Sequence, residues 1–415
     1  MQVRKITYRL YPSKAQSERL ADLLYLHKNL YNAALEERIS AYRKAGLSLN
    51  YNDQSASLTP IRDEHSDYKS ANSSALQQTL RRLDKAFAHF FRRIKKGQTP
   101  GFPRFKSITR FPGICYGSYN HGKSGWGFTP GKDWNHGRLR LSDVGTLKCR
   151  GKARTGGDIK TADLLYRRGH WYLSVSVQCA PERQCQGNAV MAFDWGTESL
   201  LSRVSTDGTR EKVENPRWFQ QYKAHKAALQ RSLATRKRFG RAWKQIKKKL
   251  AALESAIARR RLDFQHKVSA EFARQYAVVV AEELNIRNMT RSAKGTAEKP
   301  GKNVRQKSGL NREIIDTAPA QLYSLIRYKV AETDTGIWLD APTRKLKPSQ
   351  RCPVCLGTKR KTLNERVHQC EDESCGYTDD RDYASALVCL RYALAWLAGQ
   401  ELAWAALPPE TLSKR

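Results

Sequence analysis

The sequence predicts a multidomain chain of α+β and α/β character. A small N-terminal β-barrel is interrupted by a helical insert, and an α/β domain carrying an inserted zinc ribbon follows. Three observations carry this. Apolar residues repeat at helical spacing over residues 13–110 and at strand spacing on either side. Buried-strand runs such as NAVMAF and YAVVV recur between helical stretches over residues 188–349. Cysteines pair as C-x2-C at Cys352/Cys355 and C-x4-C at Cys370/Cys375, across a gap of 14 residues. Two short turns deliver ligands in pairs, as a tetrahedral zinc ion requires. A ribbon this small has no core, so the metal supplies its folding energy. His368 is a possible substitute ligand, and four reduced, merely packed cysteines are the bland alternative.

Lys and Arg number 75 against 39 Asp and Glu, a net charge of +36 over 415 residues. Such an excess points to a polyanionic partner, above all nucleic acid. Cys115, Cys149, Cys179, Cys185 and Cys389 are scattered and odd in number, which fits a reducing cytosol rather than a disulfide framework. The first residues, MQVRKITYRLYP, contain no apolar signal region. The run ALVCLRYALAWLAG carries Arg391 and is periodic, so a packed helix is expected and no membrane span.

Taken in order, Gln2 to Pro12 reads as a strand, and Ser13 with Gln16 forms a capping box for a helix reaching about Gly46. Residues 47–70 read as a polar loop. A second helix, Asn72 to Lys96, turns Leu76, Leu80, Leu83, Phe87, Phe90 and Phe91 inward. Gln77, Gln78, Arg81, Arg82, Arg92 and Arg93 occupy another face, either solvated or laid on a duplex. In GFPRFKS, Arg104, Phe105 and Lys106 interleave aromatics with cations, as nucleic-acid surfaces do. Short strands with Gly-rich turns fill residues 111–179, and 181–187 reads as a linker.

In the second half, Asp194 ends one strand and Glu282, followed by Glu283, ends another. Residues 216–262 form a basic helical hairpin, with Trp243, Ile246, Leu250, Leu253 and Ile257 along a coiled-coil seam and a break at Gly240. Residues 290–309 read as an uncored mobile loop. A helix from Arg312 to Glu332 and a strand over 336–341 lead into the ribbon. Asp379, Asp380 and Asp382 follow it, and Asp382 opens a helix whose first turns hold Ala384, Ser385 and Ala386. A carboxylate at the end of a buried strand is costly unless it holds a cation. Asp194, Glu282 and Asp382, in that order, have the layout of an RNase H-like (RuvC) site, in which carboxylates hold two Mg²⁺ ions about 3.5–4 Å apart.

These motifs together resemble the TnpB family of transposon-encoded, RNA-guided DNA endonucleases, relatives of the compact type V CRISPR effectors. The carriers are YNAAL (31–35), LRRLDKAFAHFFRR (80–93), GFPRFK (101–106), FDWG (193–196), DFQHKVS (263–269), EELNIRNM (282–289), LNR (310–312), SQRCPVC (349–355) and CGYTDDRDYASA (375–386). The resemblance implies a wedge-type β-barrel (1–12 and 111–182) with a helical recognition insert (13–110). A RuvC-like domain (188–349), a zinc ribbon (350–378) and a C-terminal RuvC-like segment (379–415) complete it. It implies catalysis by Asp194, Glu282 and Asp382 with two Mg²⁺, one structural Zn²⁺ on Cys352, Cys355, Cys370 and Cys375, and a guide RNA made from the transposon end. Target double-stranded DNA is the other partner, read beside a short flanking motif. Tyr51, Gln77, Gln78, Arg81, Arg104, Phe105, Lys106 and Arg312 are the expected nucleic-acid contacts. A monomer with its RNA, in a prokaryotic cytoplasm at the nucleoid, is expected. Two positions depart from the family pattern: Ala384 stands where an asparagine is usual, and the second cysteine pair is longer by two. Competing expectations are a nuclease-inactive RNA-guided repressor, a compact type V CRISPR effector, and an accessory transposition factor that only binds DNA.

Overall fold

The computed structural model describes residues 2–399 except 118, 122, 154, 181, 182 and 363. Expectations for residues 400–415 and for the barrel's end at 181–182 lie outside the described residues. The chain divides into two compact units, residues 1–181 and 182–415.

The first unit opens with β1 (Gln2–Tyr11) and α1 (Lys14–Ala45). The capping box forms: the Gln16 N–H donates to Ser13 Oγ at 3.2 Å, and the Ser13 N–H donates to Gln16 Oε1 at 3.0 Å. The stretch expected as a loop holds three short helices, α2 (Tyr51–Ala56), α3 (Leu58–Glu64) and α4 (Ser66–Ser70). Each buries at most one residue, Gln54 in α2, Leu58 in α3 and none in α4, too few to form an apolar stripe. Buried Gln54 accepts from Arg38 Nε at 2.8 Å and donates to the Ala34 carbonyl at 2.8 Å, so periodicity gave no signal. Next comes α5 (Ser73–Lys95), capped by Asn72, whose Oδ1 accepts from the Ala75 N–H at 3.0 Å.

Six strands complete this unit: β2 (Ile114–Tyr116), β3 (Trp126–Pro130), β4 (Asn135–Leu141), β5 (Gly145–Lys152), β6 (Asp158–Arg167) and β7 (His170–Cys179). With β1 they form one seven-stranded sheet in the order β2-β6-β7-β1-β5-β4-β3. The sheet curls because β1 bends, pairing with β7 from Gln2 to Arg9 and with β5 from Arg9 to Tyr11. Its two edges meet through side chains: the Trp126 indole donates to the Gly117 carbonyl at 2.9 Å and its ring lies 6.3 Å from that of Tyr116. Helices α1 and α5 share this core through Leu20, Leu23, Leu35, Leu76 and Leu80.

The second unit begins with β8 (Ala189–Trp195), β9 (Ser199–Ser205) and β10 (Arg210–Glu214), then the hairpin of α6 (Trp218–Ala234) and α7 (Arg241–Gln275). The expected break at Gly240 holds, but the second arm does not stop at 262. No Gly or Pro interrupts the sequence, and Val268 and Phe272 bury the rest of the helix. Then come β11 (Tyr276–Glu282) and α8 (Ile286–Met289). The expected loop over 290–309 and helix over 312–332 are corrected. Helix α9 (Val304–Thr317) starts earlier, and α10 (Pro319–Val330) is separate from it. Pro319 drives the residue before it out of the right-handed helical region, and Ala318 sits at φ 45°. The chain continues through β12 (Ile337–Ala341), α11 (Thr343–Leu346), β13 (Val367–Gln369), β14 (Thr378–Asp380) and α12 (Arg381–Leu397).

The second sheet has five strands in the order β10-β9-β8-β11-β12. Strands β8, β9 and β10 are antiparallel, while β11 and β12 run parallel to β8. One face packs Met191, Phe193 and Val279 on Phe272 of α7 and on Leu322 and Ile326 of α10. The other packs Val190, Ala192, Val278 and Val280 on Ala386, Leu387, Leu390 and Ala393 of α12. Each large apolar side chain so buried contributes about 1.5–3 kcal/mol. Small residues in the first turns of α12 let it lie close to β8.

Candidate active site and metal centre

Strand pairing brings two of the predicted acids together. In the parallel β8–β11 ladder Ala281 faces Phe193, so Glu282 comes to lie beside Asp194. Their carboxyl groups are within hydrogen-bonding reach of each other when one is protonated. Burial, then the Glu282 charge, then the Asp382 charge push Asp194 well above the usual carboxylate range. Burial raises Glu282 as well. Their surroundings are apolar: Phe193 meets the Tyr323 ring edge-on at 5.4 Å, and Tyr323 and Cys389 are buried nearby.

The third acid arrives on α12. Asp380 caps that helix, its Oδ1 accepting from the Asp382 N–H at 2.9 Å. Asp382 stands in the first turn, where the helix dipole favours a carboxylate. Burial raises its pKa too, followed by the charge of Asp380. The structure distinguishes the three neighbouring aspartates. Asp379 accepts from Arg210 and, at 2.6 Å, from the Tyr377 hydroxyl. Asp380 takes Lys212 at 2.7 Å. Tyr383 lies under both cations, 4.2 Å from Arg210 and 5.3 Å from Lys212. Asp379 and Asp380 are thus occupied by β10, and Asp382 is left facing the pair. Glu283 is exposed, and its backbone serves β12 and α11.

Among the described residues, no Lys, Arg or His lies within ion-pair distance of Asp194, Glu282 or Asp382. Three part-buried carboxyl groups that form no ion pair among the described residues, two of them side by side, are an oxygen donor set suited to Mg²⁺. They are not drawn in as tightly as the cysteines, whose ligand atoms all lie within 4.8 Å of one another.

That second cluster is Cys352, Cys355, Cys370 and Cys375, with Sγ separations of 3.7 Å for Cys352–Cys375 and 3.4 Å for Cys355–Cys370. A zinc–thiolate tetrahedron of about 2.3 Å radius has edges of about 3.8 Å. The four thiols fit one Zn²⁺. The Val354 N–H points at Cys352 Sγ at 3.4 Å, and Leu356 takes φ 67° to close the first turn. The longer second pair is also explained. Asp372 Oδ1 accepts from the N–H (3.0 Å) and hydroxyl (2.6 Å) of Ser374, and the Asp372 carbonyl accepts from Cys375 and Gly376. The two extra residues fold into this turn. His368 is not a ligand: its Nδ1 faces the Lys361 ammonium and its ring packs on Tyr377, outside the cluster. Arg391 on α12 donates to the carbonyls of Pro353 (2.6 Å) and Val354 (2.7 Å), tying the ribbon to the helix that carries Asp382.

The expected nucleic-acid contacts fall in three places. Arg81 lies over the Tyr51 ring at 4.5 Å, and exposed Gln77 is one turn before it on α5, with Gln78 half-buried beside Gly117. Arg104 and Phe105 are exposed on a loop that Asn32 pins through the Lys106 backbone at 2.8 and 3.0 Å. Arg312 is exposed on α9 in the second unit. Sequence reasoning missed Arg210 and Lys212, because nothing in their local sequence announces a partner 168–169 residues away.

A protein of Escherichia coli K12 provisionally named RNA-guided DNA endonuclease InsQ is 30% identical over 346 residues, covering 82% of this chain and 79% of its own length. The chain belongs to the TnpB family. A Streptomyces pristinaespiralis protein with the same provisional description is 29% identical over 399 residues, covering 94% of this chain and 90% of its own. Residues 172–293 match the OrfB_IS605 model, described as a probable transposase, and residues 320–389 match the Cas12f1-like TNB domain. Residues 1–46 match a helix-turn-helix model of the same family, although here they form β1 and the single helix α1. A Cas12f1–sgRNA–target DNA complex aligns over 94% of this TnpB-family chain and 99% of its own at 16% identity and a TM-score of 0.32, too low to transfer geometry. No described helix is long and apolar enough to cross a membrane.

Proposed function

We propose that this protein is an RNA-guided DNA endonuclease, which binds a structured transposon-end RNA and hydrolyses target DNA at Asp194, Glu282 and Asp382. The single observation that carries the reading is that Asp194 and Glu282 stand side by side at the C-terminal ends of the neighbouring interior strands β8 and β11, with Asp382 at the start of α12, which packs on β8. Strand order and direction in the second unit agree with an RNase H-like (RuvC) domain. The curled sheet of the first unit and its helices agree with a wedge barrel and recognition insert. The net charge of +36 suits an RNA and a DNA duplex held at once.

Two Mg²⁺ ions, when bound, would activate a water and offset charge on the leaving oxygen. The chain's own residues do the rest. Asp194 and Glu282, on rigid parallel strands, would bind the cations in place of their shared proton. Asp382 would hold its position through the α12 cap, with Arg210 and Lys212 paired to Asp379 and Asp380. Cys352, Cys355, Cys370 and Cys375 would hold Zn²⁺, and the ribbon would fix the start of α12 through Arg391. Tyr51, Gln77, Gln78, Arg81, Arg104, Phe105, Lys106 and Arg312 would meet nucleic acid. We place it in the bacterial cytoplasm as a monomer with its RNA.

The test begins with the RNA that purifies with the protein. That RNA is sequenced, and a plasmid bearing the matching target beside a randomised flank is offered with Mg²⁺ or EDTA, alongside Asp194→Ala. Cleavage that needs the guide, the metal and Asp194 is expected. Guided binding without cleavage would instead make the protein a repressor, and absence of RNA would overturn the partner.

A further inference from the structure

Two hydroxyls at this site, those of Tyr323 and Ser385, are buried without a hydrogen-bond partner, and Ser385 is the one on the helix that carries Asp382. Ser385 is 1% exposed, and its hydroxyl has no hydrogen-bond partner of good geometry. A buried hydroxyl left unmatched costs about 1–3 kcal/mol. It would be expected to find the carbonyl one turn back along the helix, as the Ser255 and Ser269 hydroxyls do on α7, at 2.6 and 2.5 Å.

Its surroundings say where it is aimed. Ser385 follows Asp382 by three residues and precedes Cys389 by four, so all three share one face of α12. Cys389 packs with Val190, Ala192, Val278 and Val280, and by strand alternation Asp194 and Glu282 point to that same face of β8 and β11. This face of α12 therefore looks onto the acidic pair. Ser385 is buried in this interface, between Asp382 and Cys389 on α12. Asp194 has no cation partner among the described residues. Its neighbour is better served, since the Thr343 hydroxyl lies beside Glu282 while donating to the Glu283 carbonyl at 3.0 Å. Ala384, also 1% exposed, offers no polar atom.

We infer that Ser385 is a positioning residue, whose hydroxyl holds the Asp194 carboxylate in the orientation that binds a divalent cation. A carboxylate that would hold a cation through one oxygen would keep the other free to accept from the Ser385 hydroxyl. Hydrogen bonds of this kind, from outside the ligand set, typically change metal affinity by about 10–100-fold. This inference rests on the metal-dependent reading above.

The experiment measures Mn²⁺ binding to the protein–RNA complex without DNA, from the electron paramagnetic resonance signal of free Mn²⁺. Four proteins are compared: wild type, Ser385→Ala, Ser385→Thr, and Ala384→Ser/Ser385→Ala, which moves the hydroxyl by one residue. Circular dichroism and metal-free melting confirm that each is folded. Ser385→Ala should weaken Mn²⁺ binding about tenfold and shift the metal midpoint of cleavage by the same factor, with less effect on the rate at saturating metal. Ser385→Thr should bind as wild type does, and the moved hydroxyl should not rescue. Unchanged affinity in Ser385→Ala, or rescue from position 384, would overturn the inference while leaving the nuclease reading intact. Wild type that binds no Mn²⁺ would overturn both.

Discussion

Asp194 and Glu282 lie side by side across two parallel strands, and neither forms an ion pair with a Lys, Arg or His among the described residues. Two carboxylates so placed cannot both stay ionised without metal. Asp194→Asn or Glu282→Gln removes the repulsion and a ligand together. Each should abolish cleavage, by at least about 10³-fold, while leaving guided DNA binding intact. Each should also lose the rise in Tm that Mg²⁺ gives the wild type. Gel shift and thermal melts, with and without Mg²⁺, separate these effects.

The same pair sets a pH dependence. Both acids are raised above their ordinary values in the folded protein, whereas in the unfolded chain they ionise near pH about 4. The folded state therefore keeps a proton that the unfolded state has released. The pair's contribution to stability is full below the unfolded pKa and is lost as pH rises through the raised folded pKa. Metal-free melts from pH 5 to 8 should show this loss in the wild type and less of it in Asp194→Asn. Mg²⁺ affinity should rise with pH, since binding expels the proton. A calorimetric titration in buffers of different ionisation enthalpy counts it.

The neighbouring aspartates should separate by phenotype. Asp382→Asn should stop cleavage with little change in Tm. Asp379→Asn strands Arg210, whose side chain is 20% exposed against 5% for Asp379. The expected cost is about 3 kcal/mol, or roughly 6–12 °C in Tm, with residual cleavage at permissive temperature. Equal loss of activity at equal stability in both variants would contradict the assignment of Asp382.

For the ribbon, Cys370→Ser should lower zinc from one per chain to none by atomic absorption and open residues 350–378 to protease. His368→Ala should keep its zinc. Asp372→Ala, which removes the turn within the longer cysteine pair, should keep zinc but release it faster to a chelator.

For the nucleic-acid surface, Arg81→Ala and Arg104→Ala should each lower the slope of log K against log salt by about one. Phe105→Ala should weaken binding without changing that slope, as loss of a stacking surface does.

The sequence alone determined whatever depends on local spacing. The capping box at Ser13 and Gln16, the cysteine pairs, the apolar strands that end at Asp194 and Glu282, and the start of α12 at Asp382 were all legible there. Periodicity failed where a helix is too short or too polar to show a stripe or where a proline intervenes: α2 rests on Gln54 and Arg38, α3 buries Leu58 alone, and α9 and α10 divide before Pro319. Tertiary structure alone decided which acids face one another. The β8–β11 register sets Glu282 rather than Glu283 beside Asp194, because successive strand residues point to opposite faces. Strand β10 brings Arg210 and Lys212 across 168–169 residues to occupy Asp379 and Asp380. It also decided that His368 stays out of the cysteine cluster and that Ser385 is buried on α12. Charge and hydrogen bonding act over a few ångströms, and only the folded chain fixes those distances.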